Sequence, residues 1–278
     1  MKKIGLRLIR TKFKLLTMLS KRKAAEKAFE LFCTPIKQYN TKKPSVFGDA
    51  EKLYFKLHDL KVKGYMWGSG GKEKLLILHG FSSCAYKFHR FVMPLVEKGY
   101  EVYAFDAPAH GGSEGKTVNA LIYSEMIEKI NKKYGPFKSY IAHSFGGIGL
   151  SLAMENLPHN KQNKMVLIAP ATETNTAVNT AFELLHISNG KVREEFDNII
   201  FEKSGRPTEW FSINRAMKNI HASVLWVHDE SDETTPLKDA LKVKEQNYPN
   251  IEFMITKGLG HRKIYHDKIV QDKIFQFL

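Results

Sequence analysis

An α/β fold built on a mostly parallel sheet is predicted by three observations. Short continuous apolar runs, such as LLIL at 75–78 and MVLI at 165–168, have the composition of strands buried on both faces. They alternate with helical stretches through short connections, which calls for a sheet covered by helices on both faces. In SYIAHSFGGIGLSLAME, residues 139–155, a β-rich run gives way to helix-forming residues within a few positions. Ser144 stands at that junction beside Ala142, Gly146 and Gly147.

The elements follow in order. KLYFKLHDLKVKGYMWG predicts two strands, 52–58 and 60–67, joined by a tight turn. The next strand is LLIL, followed by a helix over roughly 85–98 that Gly99 closes. YEVYAFDAP is a strand, TVNALIYSEMIEKINKKY a helix, KSYIAH a strand and FGGIGLSLAMENL a helix. KMVLIAP and ASVLWVHD are further strands; a helix from Pro236, the strand IEFMIT and a last helix from about Arg262 complete the chain. Only residues 171–221 break the rhythm, with helical material at 177–186 and 192–202. A long insertion at the C-terminal end of a strand is expected over the ligand end of such a sheet, so this one reads as a helical lid. The expected organisation is a basic helical extension, 1–50, and one domain, 51–278, carrying the lid.

Charge separates these regions. The chain of 278 residues has a formal net charge of +14, of which residues 1–43 carry +11 and the remainder only +3. The body therefore has an ordinary balance, and nucleic acid is not an expected partner. In MKKIGLRLIRTKFKLLTMLSKRK, Arg7, Arg10, Lys12 and Lys14 interrupt every apolar run, which argues against a signal peptide or a membrane span. On one continuous helix Lys3, Arg7, Arg10, Lys14 and Lys21 would share a stripe, well round from Ile4, Leu8, Leu15 and Leu19. Residues 1–23 thus read either as an amphipathic helix on an anionic membrane surface or as a helix packed on the body with its charges in water. Cys33 and Cys84 have no metal-like spacing and suggest no disulfide framework, so a reducing, cytoplasmic setting is expected, with the inner face of a membrane open through residues 1–23.

Ser144 has the surroundings of a nucleophile. A residue at an abrupt strand-to-helix turn can hold a strained left-handed conformation when its neighbours are small, and the following helix then aims its first N–H groups at the hydroxyl. AHSFGG resembles the nucleophile elbow of the α/β-hydrolase family, with Ala142 in place of the first glycine. LLILHGF resembles that family's strand and oxyanion loop, and FDAPAHGGSEG its loop after the next strand, with Asp106, Gly111 and Ser113 in place and Ala109 where glycine is common. ESDETTP and KGLGH resemble its acid and histidine loops.

The resemblance covers roughly residues 51–278 and implies the α/β-hydrolase fold, with a sheet of the eight-stranded type. It implies Ser144 as nucleophile, His261 as base, Asp232 as the acid that orients it, and the backbone N–H groups of Phe81 and Phe145 as the oxyanion hole. Asp229, Glu230 and Glu233 share the acid loop. His79, His110 and His143 read as structural members of their loops, and His266 as part of the last helix. Cys84 reads as a small buried hydrophobe, and Trp210 and Phe211 either as an acyl-pocket lining or as lid packing.

These residues imply a serine hydrolase acting on a small acyl substrate, a carboxylic ester or thioester, through an acyl-enzyme, with no cofactor required. An aminopeptidase-like amidase, a carbon–carbon hydrolase and an acyltransferase can use the same triad. A protein whose main role is membrane-surface binding is the alternative outside catalysis. Substrate-binding residues are not legible.

Overall fold

The computed structural model describes residues 2–36 and 42–278. Two compact units form, one from Met1–Thr34 with Glu173–Ser212 and one from Pro35–Thr172 with Ile213–Leu278.

The second unit holds an eight-stranded sheet. Its strands are β1 (Glu51–Leu57), β2 (Leu60–Trp67), β3 (Glu73–Leu78), β4 (Tyr100–Phe105), β5 (Ser139–His143), β6 (Lys164–Ile168), β7 (Ser223–Asp229) and β8 (Ile251–Thr256). They lie in the order β1-β2-β4-β3-β5-β6-β7-β8. The β1–β2 and β2–β4 pairs are antiparallel and all others parallel. Each strand predicted from the sequence is present within two residues at its ends, except that YEVYAFDAP runs three residues past the end of β4.

Alternation along the strands fills both faces. Leu75 and Ile77 of β3, with Val102 and Ala104 of β4, join Phe88, Phe91, Val92, Val270 and Ile274 in one core. That face is covered by α3 (His89–Glu97), near the end of the chain by α11 (Lys268–Phe277), and by a 3₁₀ turn, Ala85–Phe88. Tyr103 and Phe105 point the other way and meet the Tyr134 ring of α4 (Ala120–Tyr134). α5 (Phe145–Met154) packs on α4, and every residue from Gly146 to Met154 is buried, as a helix apolar on nearly every side requires, with the Ser151 hydroxyl donating to the Gly147 carbonyl at 2.9 Å. α8 (Ile213–Ala216) packs on α5, and α9 (Leu237–Lys244) on β7. The last helix expected from Arg262 is divided into α10 (Gly260–Lys263), a 3₁₀ turn (Ile264–His266) and α11. Asp267, extended at ψ 135°, ends the turn and caps α11 by accepting from the Val270 N–H, so His266 lies in the turn.

The order of the strands locates the functional end of this unit. β3 and β5 are neighbours, and the chain leaves β3 toward β4 on one side but leaves β5 toward β6 on the other. A crevice opens at such a switch point, beyond the C-terminal ends of the strands.

The first unit is helical: α1 (Lys2–Leu19), α2 (Lys21–Phe32), α6 (Thr174–Leu185) and α7 (Gly190–Ser204). The basic segment is not one helix. Ser20 is extended (φ −159°, ψ 123°) and caps α2 by accepting from the Lys23 N–H, so Lys21 does not continue the stripe of Arg7 and Lys14. The side chains of Lys3 and Ile4, and residues 37–41 of the expected extension, lie outside the described residues. Ala24, Ala25 and Ala28 are buried and allow α2 to approach α7, where the Phe29 and Phe32 rings meet Phe196 at 5.7 and 5.8 Å. Arg22 donates to Glu202 at 2.8 and 2.5 Å. The insertion expected over 171–221 contributes Glu173–Ser212 to this unit, whereas α8 belongs to the sheet unit. Trp210 and Phe211 pack edge to face at 5.1 Å within the insertion, and Arg206 lies over the Trp210 ring at 5.2 Å.

Candidate active site

Ser144 closes β5 and opens α5 with φ 54° and ψ −119°, a backbone geometry that costs about 1–3 kcal/mol for a residue with a side chain. Its N–H is held by the Ile168 carbonyl at 3.0 Å, and its carbonyl accepts from Gly147 at 2.9 Å and Ala171 at 3.0 Å. Gly146 is required by the strand alongside: a Cβ there would stand 2.8 Å from the His79 carbonyl oxygen and 2.9 Å from that of Leu78. Gly80 is as tightly placed, since its Cβ would lie 2.9 Å from His143 Nδ1 and 3.0 Å from Ser144 Cβ. Ala142, buried in β5, carries its methyl group without such a conflict.

The structure brings the three residues singled out from the sequence together. His261, at the start of α10, places Nε2 2.9 Å from Ser144 Oγ and Nδ1 2.8 Å from Asp232 Oδ2. Asp232 lies in the loop after β7, and its Oδ1 accepts from the N–H groups of Thr234 and Thr235 at 2.8 and 2.9 Å. Burial works against its charge, but the bonds from His261 and Thr235 outweigh it and hold the carboxyl below its ordinary range. A carboxylate on Nδ1 leaves the proton there and turns the unprotonated Nε2 toward the hydroxyl.

Phe81 follows β3 and Phe145 is the first residue of α5, so the Phe145 N–H is among those a helix start leaves free. Their rings meet edge to face at 5.4 Å, which sets the two residues side by side near Ser144.

The family described as Hydrolase_4, serine aminopeptidase, S33, matches residues 71–230, more than half of the chain. This chain belongs to that α/β-hydrolase family. A Mycoplasma pneumoniae protein provisionally named esterase/lipase 2 is 22% identical over 241 residues, covering 74% of this chain and 89% of the relative. Among solved structures, the Pyrococcus furiosus esterase Pf2001 superposes with a TM-score of 0.66 at 17% identity, over 88% of this chain and 97% of that one. Carboxylesterase CesB of Bacillus subtilis gives 0.62 at 15% identity, over 92% and 98%. Both share the fold.

Around the three central residues, this hydrolase spends its other polar groups on holding loops. His79 accepts from the Ala107 N–H at Nε2 (2.9 Å), which leaves Nδ1–H to donate to the Gly80 carbonyl (2.8 Å). Burial lowers its pKa to about 4, so it stays neutral. His110 likewise accepts from the Ser82 N–H at 3.0 Å and turns Nδ1 to the Pro108 carbonyl at 2.9 Å. Asp106 accepts from the Ala85 and Gly112 N–H groups at 2.8 and 2.9 Å, and a Cβ on Gly111 would collide with its carboxylate. Ala109 has φ 67°, which explains why glycine suits that position. The Cys84 thiol is buried, and its pKa is raised by that burial.

Asp229 takes no part in the His261 contact. It accepts from the Ser231 and Leu259 N–H groups at 2.9 and 3.0 Å and from Thr256 Oγ at 2.7 Å, tying the acid loop to the histidine loop. Despite its burial, these bonds and one from Gly260 hold its pKa at about 2.

One contributor escaped the sequence reading. Thr235 Oγ lies 2.8 Å from Asp232 Oδ2, 3.1 Å from His261 Nδ1 and 3.1 Å from the Ala169 carbonyl. Its position three residues after the acid was the available signal. His143, read from the sequence as a structural member of its loop, donates from Nε2 to the His261 carbonyl at 3.0 Å, and the two rings lie tilted at 43° with centroids 4.7 Å apart. Burial lowers the His143 pKa to about 3.

Proposed function

We propose that this α/β hydrolase cleaves a carboxylic ester or thioester through an acyl-enzyme, with Ser144 as nucleophile, His261 as general base and acid, and Asp232 as the group that orients the imidazole. The carrying observation is the pair of contacts made by one ring: 2.9 Å from Nε2 to Ser144 Oγ and 2.8 Å from Nδ1 to Asp232 Oδ2. In this reading His261 takes the Ser144 proton as Oγ attacks the acyl carbon. The oxygen that becomes negative is met by the N–H groups of Phe81 and Phe145, backed by the dipole of α5. The tetrahedral adduct collapses when His261 returns the proton to the departing alkoxide or thiolate. Water then repeats the sequence and frees the acid.

The esterase names carried by the relatives support the acyl substrate class. The family description, serine aminopeptidase, supports an amide reading on the same groups. The insertion after β6 takes the role of acyl-selecting lid in this proposal. Hydrolysis of a panel of chromogenic esters, thioesters and aminoacyl amides by wild type and Ser144→Ala tests it. Ester or thioester turnover that vanishes in Ser144→Ala is expected. Turnover confined to aminoacyl amides would move the substrate class, and turnover retained by Ser144→Ala would end the mechanism.

A further inference from the structure

Helix α1 has two apolar sides, and among the described residues only one of them is buried. Phe13 is buried, Leu6 and Leu16 are half-buried, and Arg10 donates from Nε to the Leu184 carbonyl of α6 at 2.9 Å. Leu8, Leu15 and Leu19 recur at steps of seven and four, so they form one stripe on the side away from Phe13. They are 66%, 57% and 82% exposed, and Met18 at the edge of the stripe is 74% exposed. A lone exposed leucine needs no explanation, whereas a row along one helix marks an interaction surface.

The charges around the stripe choose the partner. Lys12 stands within it, and Arg7 and Lys14 lie about a quarter of a turn round the helix from Leu15; all three are exposed. The first acidic residue of the chain is Glu26, so nothing on α1 offsets them. Lysine is depleted in the buried centre of protein–protein contacts, whereas at a bilayer surface a lysine or arginine stem lies along the apolar boundary while its head meets a phosphate. We propose that this face of α1 rests on an anionic lipid surface, with Leu8, Leu15, Met18 and Leu19 entering the boundary between headgroups and acyl chains. None of the described helices is long and apolar enough to cross a membrane. The attachment is therefore peripheral, with α1 lying along the surface.

Sedimentation of the full-length protein with vesicles of phosphatidylglycerol and phosphatidylcholine in equal parts, against phosphatidylcholine alone, tests this. Binding to the anionic vesicles alone, weakened by added salt, is expected. Each basic residue close to such a surface contributes roughly fivefold in affinity, so Arg7→Gln, Lys12→Gln and Lys14→Gln together should weaken binding about a hundredfold. Leu8→Ser, Leu15→Ser and Leu19→Ser together should weaken it at least tenfold even at low salt, since apolar burial is unscreened. A thermal melt of each variant, expected to match wild type because these side chains are exposed, shows that the fold is intact. Absence of wild-type binding to anionic vesicles overturns the proposal, as does binding that both triple variants retain. A wild-type protein that self-associates without lipid, and becomes monomeric on loss of the three leucines, would assign the stripe to a second copy instead.

Discussion

The two flanks of Ser144 use histidine in opposite ways. On the side of the acid loop, His261 keeps both ring nitrogens on side chains, the Ser144 hydroxyl and the Asp232 carboxylate. On the side of the β3 and β4 loops, His79 and His110 spend both nitrogens on the main chain. A ring saturated by backbone is fixed in one tautomer and serves to shape a loop, and at His79 burial also makes protonation costly. A ring between a hydroxyl and a carboxylate can take a proton on one side while the other steadies the charge. His143 joins the two flanks, sitting beside Ser144 in the chain and donating to the His261 carbonyl.

The sharpest way to break this contrast is to remove the exchanging side. Ser144→Ala and His261→Ala are each expected to lower kcat by roughly a hundred thousandfold or more, with the double variant little worse, because such groups act as a unit. Steady-state kinetics on the best substrate of the panel checks this, and additive losses would deny a shared step.

The two carboxylates of the acid loop give the next effect. Asp232→Asn should cost about ten thousandfold in kcat, because the amide sets the wrong tautomer on His261. Asp229→Asn should lower turnover by less than about tenfold but reduce the melting temperature, since it ties the two loops together. The opposite ranking would reassign the acid.

On the structural flank, His79→Phe removes the acceptor for the Ala107 N–H and the donor to the Gly80 carbonyl. A loosened loop after β3 should reduce kcat about tenfold with KM little changed, and the pH–rate profile should keep its shape. A moved profile would mean that His79 takes part in proton transfer.

The smallest effect is in the dependence of stability on pH. His79 and His143 are held near 4 and 3, below the ordinary 6.5, so the unfolded chain binds protons that the native one refuses. Stability should be full above about pH 6.5 and fall as the pH is lowered toward 4. Denaturant midpoints across that window should show the fall, and His143→Gln should flatten it whatever it does to the midpoint itself.

Much of the sheet unit was legible because its signals are local. A buried strand shows as an unbroken apolar run, and Ser144 showed through the small residues its turn requires. Asp232 and His261 were singled out by the resemblance of ESDETTP and KGLGH to the family's acid and histidine loops, and the geometry brings them together with Ser144. Thr235 was not, because its part depends on a hydroxyl meeting a carboxylate and a ring from two loops. The break at Ser20 was also missed: the helical period runs through it, and only the cap to Lys23 reveals the new start. The last helix misled in the same way, since the capping Asp267 interrupts a sequence whose apolar spacing continues. Which side of α1 is buried was equally hidden, because Phe13 and Leu15 are alike in hydropathy and differ in what faces them.

The most direct test of the central claim is the site of covalent capture. A fluorophosphonate reacts with a serine oxygen that a neighbouring base has made nucleophilic, and the intact mass of the protein reports the addition. One adduct per chain, mapped by peptide sequencing to Ser144 and lost in both Ser144→Ala and His261→Ala, is the predicted result. An adduct on another residue, or labelling that persists in Ser144→Ala, would contradict the assignment of Ser144 as the nucleophile.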